Sequence, residues 1–459
     1  MCADLRQFMT TERQLRTDAW HADSPLCLGF PPGWKVTVHW PNTPPRLSDE
    51  QVVEIVRKPI GQPSIRELVK GKSRPLILVD DVNRPTPAAR VLSPVLQEFE
   101  AAGIPPSQVT ILVARGSHGE PHPESMLLKV GQEAASGCRV LLHDLYRHTT
   151  RVGKTSFGTP VHVNREVAAA DFVIGIGGVY PNNTAGFGGG AKLALGALDI
   201  RVISQLHRKH KGVGWGTQGA RNTFREDIEE IARMIRLETV ITAHVDADRE
   251  LVRLRCGDYR LYYNEEVAFA RQAFRAPKPG PADVVISNAF PNDLSLTFVH
   301  MKGIYPLRST APGASRIVLG ACREGEGFHG VYPIVRMPLF HEQRDRLRRI
   351  SLMTPGEMAK KIIGKVSGKF HSNGEATGPA VPPSRPAAPP QPQPEAAQPR
   401  NPIWLYRTVN HSEALPSPVR GIRTVSDWNQ ILETIRKEQS GRDDLNVVVY
   451  PCAPLQVLE

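Results

Sequence analysis

At 459 residues the chain exceeds what one ordinary hydrophobic core organises, so two domains and a linker are expected. Apolar residues make up 40% of it, aromatics 6%, and the net charge is +11, which brings anionic partners into question. No apolar run of membrane-spanning length occurs, Met1-Cys-Ala-Asp-Leu-Arg6 lacks the apolar segment of a signal peptide, and the cysteines at 2, 27, 138, 256, 322 and 452 contain no CxxC pair. The expectation is a cytoplasmic protein with reduced thiols, no zinc site and no membrane association.

In chain order, the first 50 residues carry Pro25, Pro31, Pro32, Pro41, Pro44 and Pro45, which block long helices, and they are expected to wrap the first domain. A helix is predicted from Ser48-Asp-Glu50, where a serine or aspartate cap precedes Val52, Val53 and Ile55. Four apolar runs follow: Pro75 to Asp81, Val109 to Ala114, Arg139 to Asp144 and Asp171 to Ile176, with an amphipathic stretch over 88–102. Such alternation predicts a parallel, helix-covered sheet. Ligands in these sheets sit beyond the carboxyl ends of the strands. Asp81 and Arg84, His118, His143 and Asp144 all fall at such ends. Taken singly, each reads equally as structure: Asp81 as a helix cap, Arg84 as its partner, His118 as a turn residue. His143 reads as structural.

The run 171–176 opens into the densest glycine stretch of the chain, with seven glycines between Gly175 and Gly190, closed by Lys192. Glycine at that density brings backbone close to a partner. A phosphate-cradling P-loop would need Gly-Lys-Ser/Thr, and the order here is Gly190-Ala-Lys192-Leu193, so that motif is absent.

Further strands are predicted at Ala282 to Ser287 and Arg316 to Ala321, with Pro291-Asn-Asp293, His300 and Lys302 between them and Cys322 to Gly327 as a glycine-bearing exit. Basic residues cluster at Arg344, Arg346, Arg348, Arg349, Lys360, Lys361, Lys365 and Lys369, without interleaved aromatics, so they read as a solvated helical face and nucleic acid is not the expected partner. The expected division is an N-terminal α/β domain over 1–275, a second α/β domain over 276–372, a Pro-rich linker over 373–401 and a C-terminal strand-helix-strand over 402–459 completing the second domain. The fold class is α/β: two domains with mainly parallel sheets and a cleft between them.

These motifs, in this order, resemble the lactate racemase family over roughly Arg46 to Gly330. The matching pieces are Asp81-Val-Asn-Arg84-Pro85, Gly116-Ser-His118, Gly158-Thr-Pro-Val-His-Val-Asn-Arg165, Ala185-Gly-Phe-Gly-Gly-Gly-Ala-Lys192, Pro291-Asn-Asp293 through Lys302, and Ala321-Cys-Arg-Glu-Gly325. The resemblance implies a nickel-pincer nucleotide, a nicotinic-acid-derived mononucleotide whose two sulfurs grip nickel, and cofactor-biosynthesis proteins as partners in maturation. It implies Lys192 as the residue joined to the cofactor, His207 as the nickel ligand, Asp81, Val82, Asn83, Arg84 and Gly196 as cofactor contacts, His118 as a catalytic acid/base, and Arg84 and Lys302 as holders of the substrate carboxylate. His210 competes with His207 for the ligand role, because both stand at the end of one basic helix, Gln205-Leu-His-Arg-Lys-His210.

The implied chemistry is inversion of a 2-hydroxy acid. Its C–H is too weakly acidic for histidine, so hydride transfer to the cofactor is easier, while a base takes the hydroxyl proton. Sulfur donors plus one imidazole suit nickel. Two departures stand out: Asn182 occupies the position of the family's second catalytic histidine, and Val299 that of a glutamine three residues before Lys302. An amide cannot exchange protons in this range. His300 is a candidate replacement base, and it also reads as a packed helix residue. The alternative function is a homologue that binds cofactor or anion without turnover.

Overall fold

Two six-stranded sheets organise the described residues, and segments that follow strands of both line one cleft. The first sheet runs Leu251–Asp258, Leu237–Val245, Phe172–Gly178, Pro75–Asp80, Thr110–Ala114, Arg139–Leu142, parallel except for the antiparallel edge strand Leu251–Asp258. The second runs Ile422–Val425, Ile403–Arg407, Ser315–Gly320, Val284–Asn288, Asn446–Tyr450, Lys35–Val38 and is parallel throughout. The mainly parallel α/β class expected from the sequence is the class observed. The computed structural model describes residues 11–21, 24–332, 400–409, 415, 419 and 421–459. The basic tract from Arg344 to Lys369 and all but the last residues of the 373–401 linker lie outside them. Among the described residues no helix is long and apolar enough to cross a membrane, and the described cysteines form no disulfide.

The central strands form because both their faces are covered. Pro75–Asp80 is buried at every residue, and Val284–Asn288 likewise. Continuous apolar runs are the signature of a sheet packed on both sides. On one face of the first sheet Ile77, Val79, Ile111 and Val113 meet Val91, Val95 and Phe99 of the helix Ala88–Ala101; on the other, Leu76, Leu78 and Leu112 meet Leu193, Ile203 and Ile231. Ser48 caps the helix Asp49–Arg57 in a reciprocal arrangement with Gln51.

The N-terminal part departs from the expected wrapping of the first domain. Lys35–Val38 is an edge strand of the second sheet, paired with Asn446–Tyr450. Its four residues are too short, and too closely flanked by prolines, to stand out as a strand. The turn after Thr11–Leu15 then bridges both halves. Asp293 accepts hydrogen bonds from Asp18 N (2.7 Å), Ala19 N (3.0 Å) and Ala321 N (3.3 Å), while Trp20 Nε1 donates to Val82 O (2.9 Å) beside Asp81.

Asp293 is fully buried, so removing its carboxylate strands three backbone donors. Each orphaned donor costs on the order of 1–3 kcal/mol. Asp293→Ala is expected to lower the stability measured by chemical denaturation by about 3 kcal/mol or more. A loss below about 1 kcal/mol would show that the turn is not held by this carboxylate.

Candidate functional site

The strand ends of the first sheet open on a cleft of about 450 Å³, lined on the opposite side by Phe298, His300, Lys302 and Arg308 of the second-sheet half. Asp81 follows the strand Pro75–Asp80, and His118 sits in the turn after Thr110–Ala114. The Nδ1–H of His118 donates to Asp81 Oδ2, so Nε2 carries the lone pair. Burial would raise the Asp81 carboxyl, but His118, with Arg84 and Lys129 beyond it, wins and holds it down at about 2. Burial lowers His118 more than Asp81 raises it. The ring packs edge-on against Phe298, with centroids 4.8 Å apart. The pair is thus a carboxylate that orients an imidazole able to accept a proton.

Neighbouring Asp80 has a structural job. It is paired with the fully buried Lys129 at 2.6 Å and accepts from Thr86 Oγ1 at 2.7 Å and Gly178 N at 3.2 Å. Val82 and Asn83 do not line the cleft. Val82 packs with Ala19, Phe290 and Leu294, and Asn83 O accepts from Asn292 Nδ2, so both pin the segment from behind while Asp81 and Arg84 face the cavity. His143 is a core residue between Leu198 O and Asn164 Nδ2.

After Phe172–Gly178 the chain makes a two-residue hairpin, Pro181–Asn182 with Gly186–Phe187, and then a 3-10 segment, Gly190–Ala197, that carries Lys192. Arg225 donates to the carbonyls of Phe187, Gly188 and Gly189 and fixes the loop. Gly189 and Gly190 take φ of +77° and +55°, open to glycine without strain. At Gly196 a Cβ would lie 2.5 Å from Ala114 O, so glycine alone lets the Lys192 segment lie against the His118 strand. Burial, followed by repulsion from Arg84 and Arg225, lowers the Lys192 amine to about 7. Asn182 lines the cleft, yet its Oδ1 accepts from Thr184 N and Ala185 N, both at 2.9 Å. Its amide is a turn device.

The helix Ile200–Lys209, capped by Asp199, settles which of the two histidines faces the cavity. His207 lines the cleft and donates its Nδ1–H to Ile203 O at 2.8 Å, leaving a bare Nε2. Burial lowers it to about 4, so the ring is neutral. His210 lies outside the lining, with Nδ1 on Thr223 Oγ1 (2.9 Å) and Nε2 on Asp227 Oδ2 (2.8 Å). From the other half come Lys302, buried and pushed well below its ordinary value by burial and by Arg84 and Lys192, and half-buried His300 in the same turn.

The cleft also contains residues that the sequence patterns pass over. Trp215 lines one wall, stacked on Tyr305 at 4.7 Å, with Lys302 Nζ 6.0 Å from its ring. His329 lies beside His118, two residues past the Cys322–Gly327 exit. A lone histidine in a loop carries no spacing that would mark it. Among the described residues no three His, Cys, Asp or Glu side chains form a metal-binding group.

A cleft with an amine, two imidazoles with bare ring nitrogens and more cations than carboxylates is a positively charged α/β site. The comparisons fit that class. A family profile described as the lactate racemase N-terminal domain matches residues 23–215. The chain is 25% identical over 299 residues to a lactate racemase from Lactiplantibacillus plantarum and 24% identical over 297 residues to one from Thermoanaerobacterium thermosaccharolyticum, covering 62% of this chain and 69% of the relative in each case. The fold matches the lactate racemase apoprotein of the latter organism with a TM-score of 0.62 at 17% identity, over 98% of this chain and all of that one. It matches a Thermotoga maritima protein at 0.53 and 15%, over 91% and 100%. The chain is thus similar to lactate racemases, in sequence at about 25% identity and in fold over 98% of its length.

A lysine at about 7 is a nucleophile near neutrality, where an exposed one is protonated. Trace acylation of Lys192 by acetic anhydride, followed by peptide mass mapping, is expected to rise with a midpoint near pH 7, and Arg84→Ala to move that midpoint upward by removing a repelling charge. A midpoint near 10 would contradict this electrostatic account of the lysine.

Proposed function

We propose that this chain is a racemase or epimerase of a 2-hydroxy acid, carrying a nickel-pincer nucleotide on Lys192. The observation behind this reading is that Lys192, His207, Arg84, Lys302 and the His118–Asp81 pair share one cleft. The residues present fit the group. The Lys192 amine is partly neutral at pH 7, glycines 188–190 line the cleft beside it, and His207 offers an unprotonated Nε2 as the one protein ligand. When bound, the nucleotide supplies a reversible acceptor for the hydrogen on C2. Arg84 and Lys302 hold the substrate carboxylate, and the Arg84 guanidinium can do so with two parallel bonds. His118 Nε2 takes the hydroxyl proton and returns it, its imidazolium steadied by Asp81. The burial of the cleft keeps water from competing for these contacts.

Inversion needs proton exchange with the substrate oxygen in both of its orientations, and Asn182 is tied into its turn. His300, which lines the cleft beside Lys302, is the proposed second exchanger. The tied amide also favours a second reading, in which the chain binds cofactor or anion without turnover.

Intact mass after co-expression with pincer-cofactor biosynthesis proteins is expected to show an adduct that Lys192→Ala abolishes. An unmodified wild-type chain beside a control that loads would refute the proposal. His207→Ala is expected to lose nickel by elemental analysis while keeping the Lys192 adduct, because the covalent link needs no imidazole. His300→Ala with full two-way interconversion would remove that histidine from the mechanism, and absence of turnover by the loaded wild type on a panel of 2-hydroxy acids would favour the binding-only reading.

A further inference from the structure

His329 is held in a way that the proton-transfer role does not use. Two backbone hydrogen bonds, Gly119 N to Phe328 O (3.0 Å) and Gly330 N to Ser117 O (2.7 Å), join its segment to the His118 turn and set the two rings 5.2 Å apart. Its Nδ1 accepts from Val331 N at 3.2 Å and Tyr332 N at 3.1 Å. A ring nitrogen that accepts two N–H groups carries no proton, so the hydrogen of the neutral imidazole is on Nε2. That Nε2 lies 3.4 Å from Ser117 Oγ, at the long limit of a hydrogen bond, in a ring that is 6% exposed and lines the cleft. Burial, with the cost of placing a further charge beside Arg84 and Lys192 adding to it, keeps the ring well below its ordinary value, which disfavours the imidazolium.

We propose that His329 is a neutral hydrogen-bond donor to the C2 oxygen of the substrate. The inference rests on the reading of the chain as acting on a 2-hydroxy acid. A neutral imidazole whose Nδ1 is occupied by backbone donors can polarise a carbonyl but is a poor base, because protonating Nδ1 would break both bonds. The division of labour follows. The hydroxyl proton passes to His118 Nε2, or in the other orientation to His300, and returns from it, whereas His329 keeps its own proton throughout and stabilises the charge that builds on the oxygen. Donors aimed at developing charge in a water-poor cleft act without reorganisation. Such a contact serves both directions of inversion equally.

Three measurements test this. In the unloaded protein at pH 7, nitrogen-15 NMR of the imidazoles, with the His329 signals assigned from their loss in His329→Gln, is expected to show a protonated Nε2 and a bare Nδ1. A protonated Nδ1 or an imidazolium would overturn the proposal. In the cofactor-loaded protein His329→Phe, which keeps the ring volume without the N–H, is expected to lower kcat/KM by roughly 10²–10³-fold, and His329→Gln, which keeps a donor, to recover to within about 10-fold of wild type. No loss in the Phe variant, or equal loss in both, would contradict a donor role. The third readout is the infrared carbonyl stretch of bound pyruvate or 2-oxoglutarate, expected to fall in frequency in wild type and His329→Gln relative to His329→Phe. A 2-oxo acid that does not bind, or that shows one frequency in all three proteins, overturns the proposal. If Lys192 takes no adduct, the reading of the function fails by itself, and the infrared measurement on the unloaded chain still decides for His329.

Discussion

Uncompensated positive charge in a buried cleft is the constraint on which the rest of this structure turns. Arg84, Lys192 and Lys302 converge on one cavity, while the two carboxylates at its edge are already engaged, Asp81 by His118 and Asp80 by Lys129. Burying a cation without a partner is costly, and a protein meets that cost by neutralising the group or by binding an anion. Both responses are visible in the cleft. The Lys192 amine is lowered to about 7 and Lys302 well below its ordinary value, and a cavity of about 450 Å³ is left between them. An anionic cofactor attached at Lys192 and a substrate carboxylate would complete the charge balance.

Keeping those cations together requires that two sheets be fixed against each other, and the fold does this with buried polar staples. Asp293 gathers backbone donors from the N-terminal turn and from the end of the strand Ser315–Gly320, and the same turn reaches Val82 through Trp20. Asp18 adds an ion pair to Arg323, in the loop that carries on to His329. The backbone bridge between the His118 and His329 segments closes the circuit at the cleft itself. The Asp293 staple is satisfied internally, so its removal leaves orphaned backbone donors in a buried site.

What can be read from the sequence follows from how local the physics is. The buried strands stand out as apolar runs, and Asp81, Arg84 and His118 stand out because they end such runs. Lys192 follows from its glycine loop and the family resemblance. Which of His207 and His210 faces the cavity is not legible, since it depends on Thr223 and Asp227 occupying both nitrogens of His210 from another helix. Lys35–Val38 escapes a local reading because its partner strand lies some 400 residues onward. The edge hairpin of Leu237–Val245 with Leu251–Asp258 has no strong turn signal in Asp246-Ala-Asp-Arg249 and escapes it too. The resemblance marks Asn182 as standing where an acid/base is expected, but its use as a turn acceptor needs coordinates. His329 is invisible because its chemistry comes from two backbone N–H groups and a neighbour more than 200 residues away.

The central claim is that this cleft inverts a 2-hydroxy acid by moving the C2 hydrogen as a unit, with the histidines handling only the oxygen proton. The most direct measurement is the fate of deuterium when the cofactor-loaded protein acts on a panel of single-enantiomer 2-hydroxy acids deuterated at C2, in ordinary water. The mirror-image product is expected to keep its deuterium on C2. Product carrying solvent hydrogen at C2 would show direct proton abstraction and contradict the proposed roles of Lys192, His207 and His118.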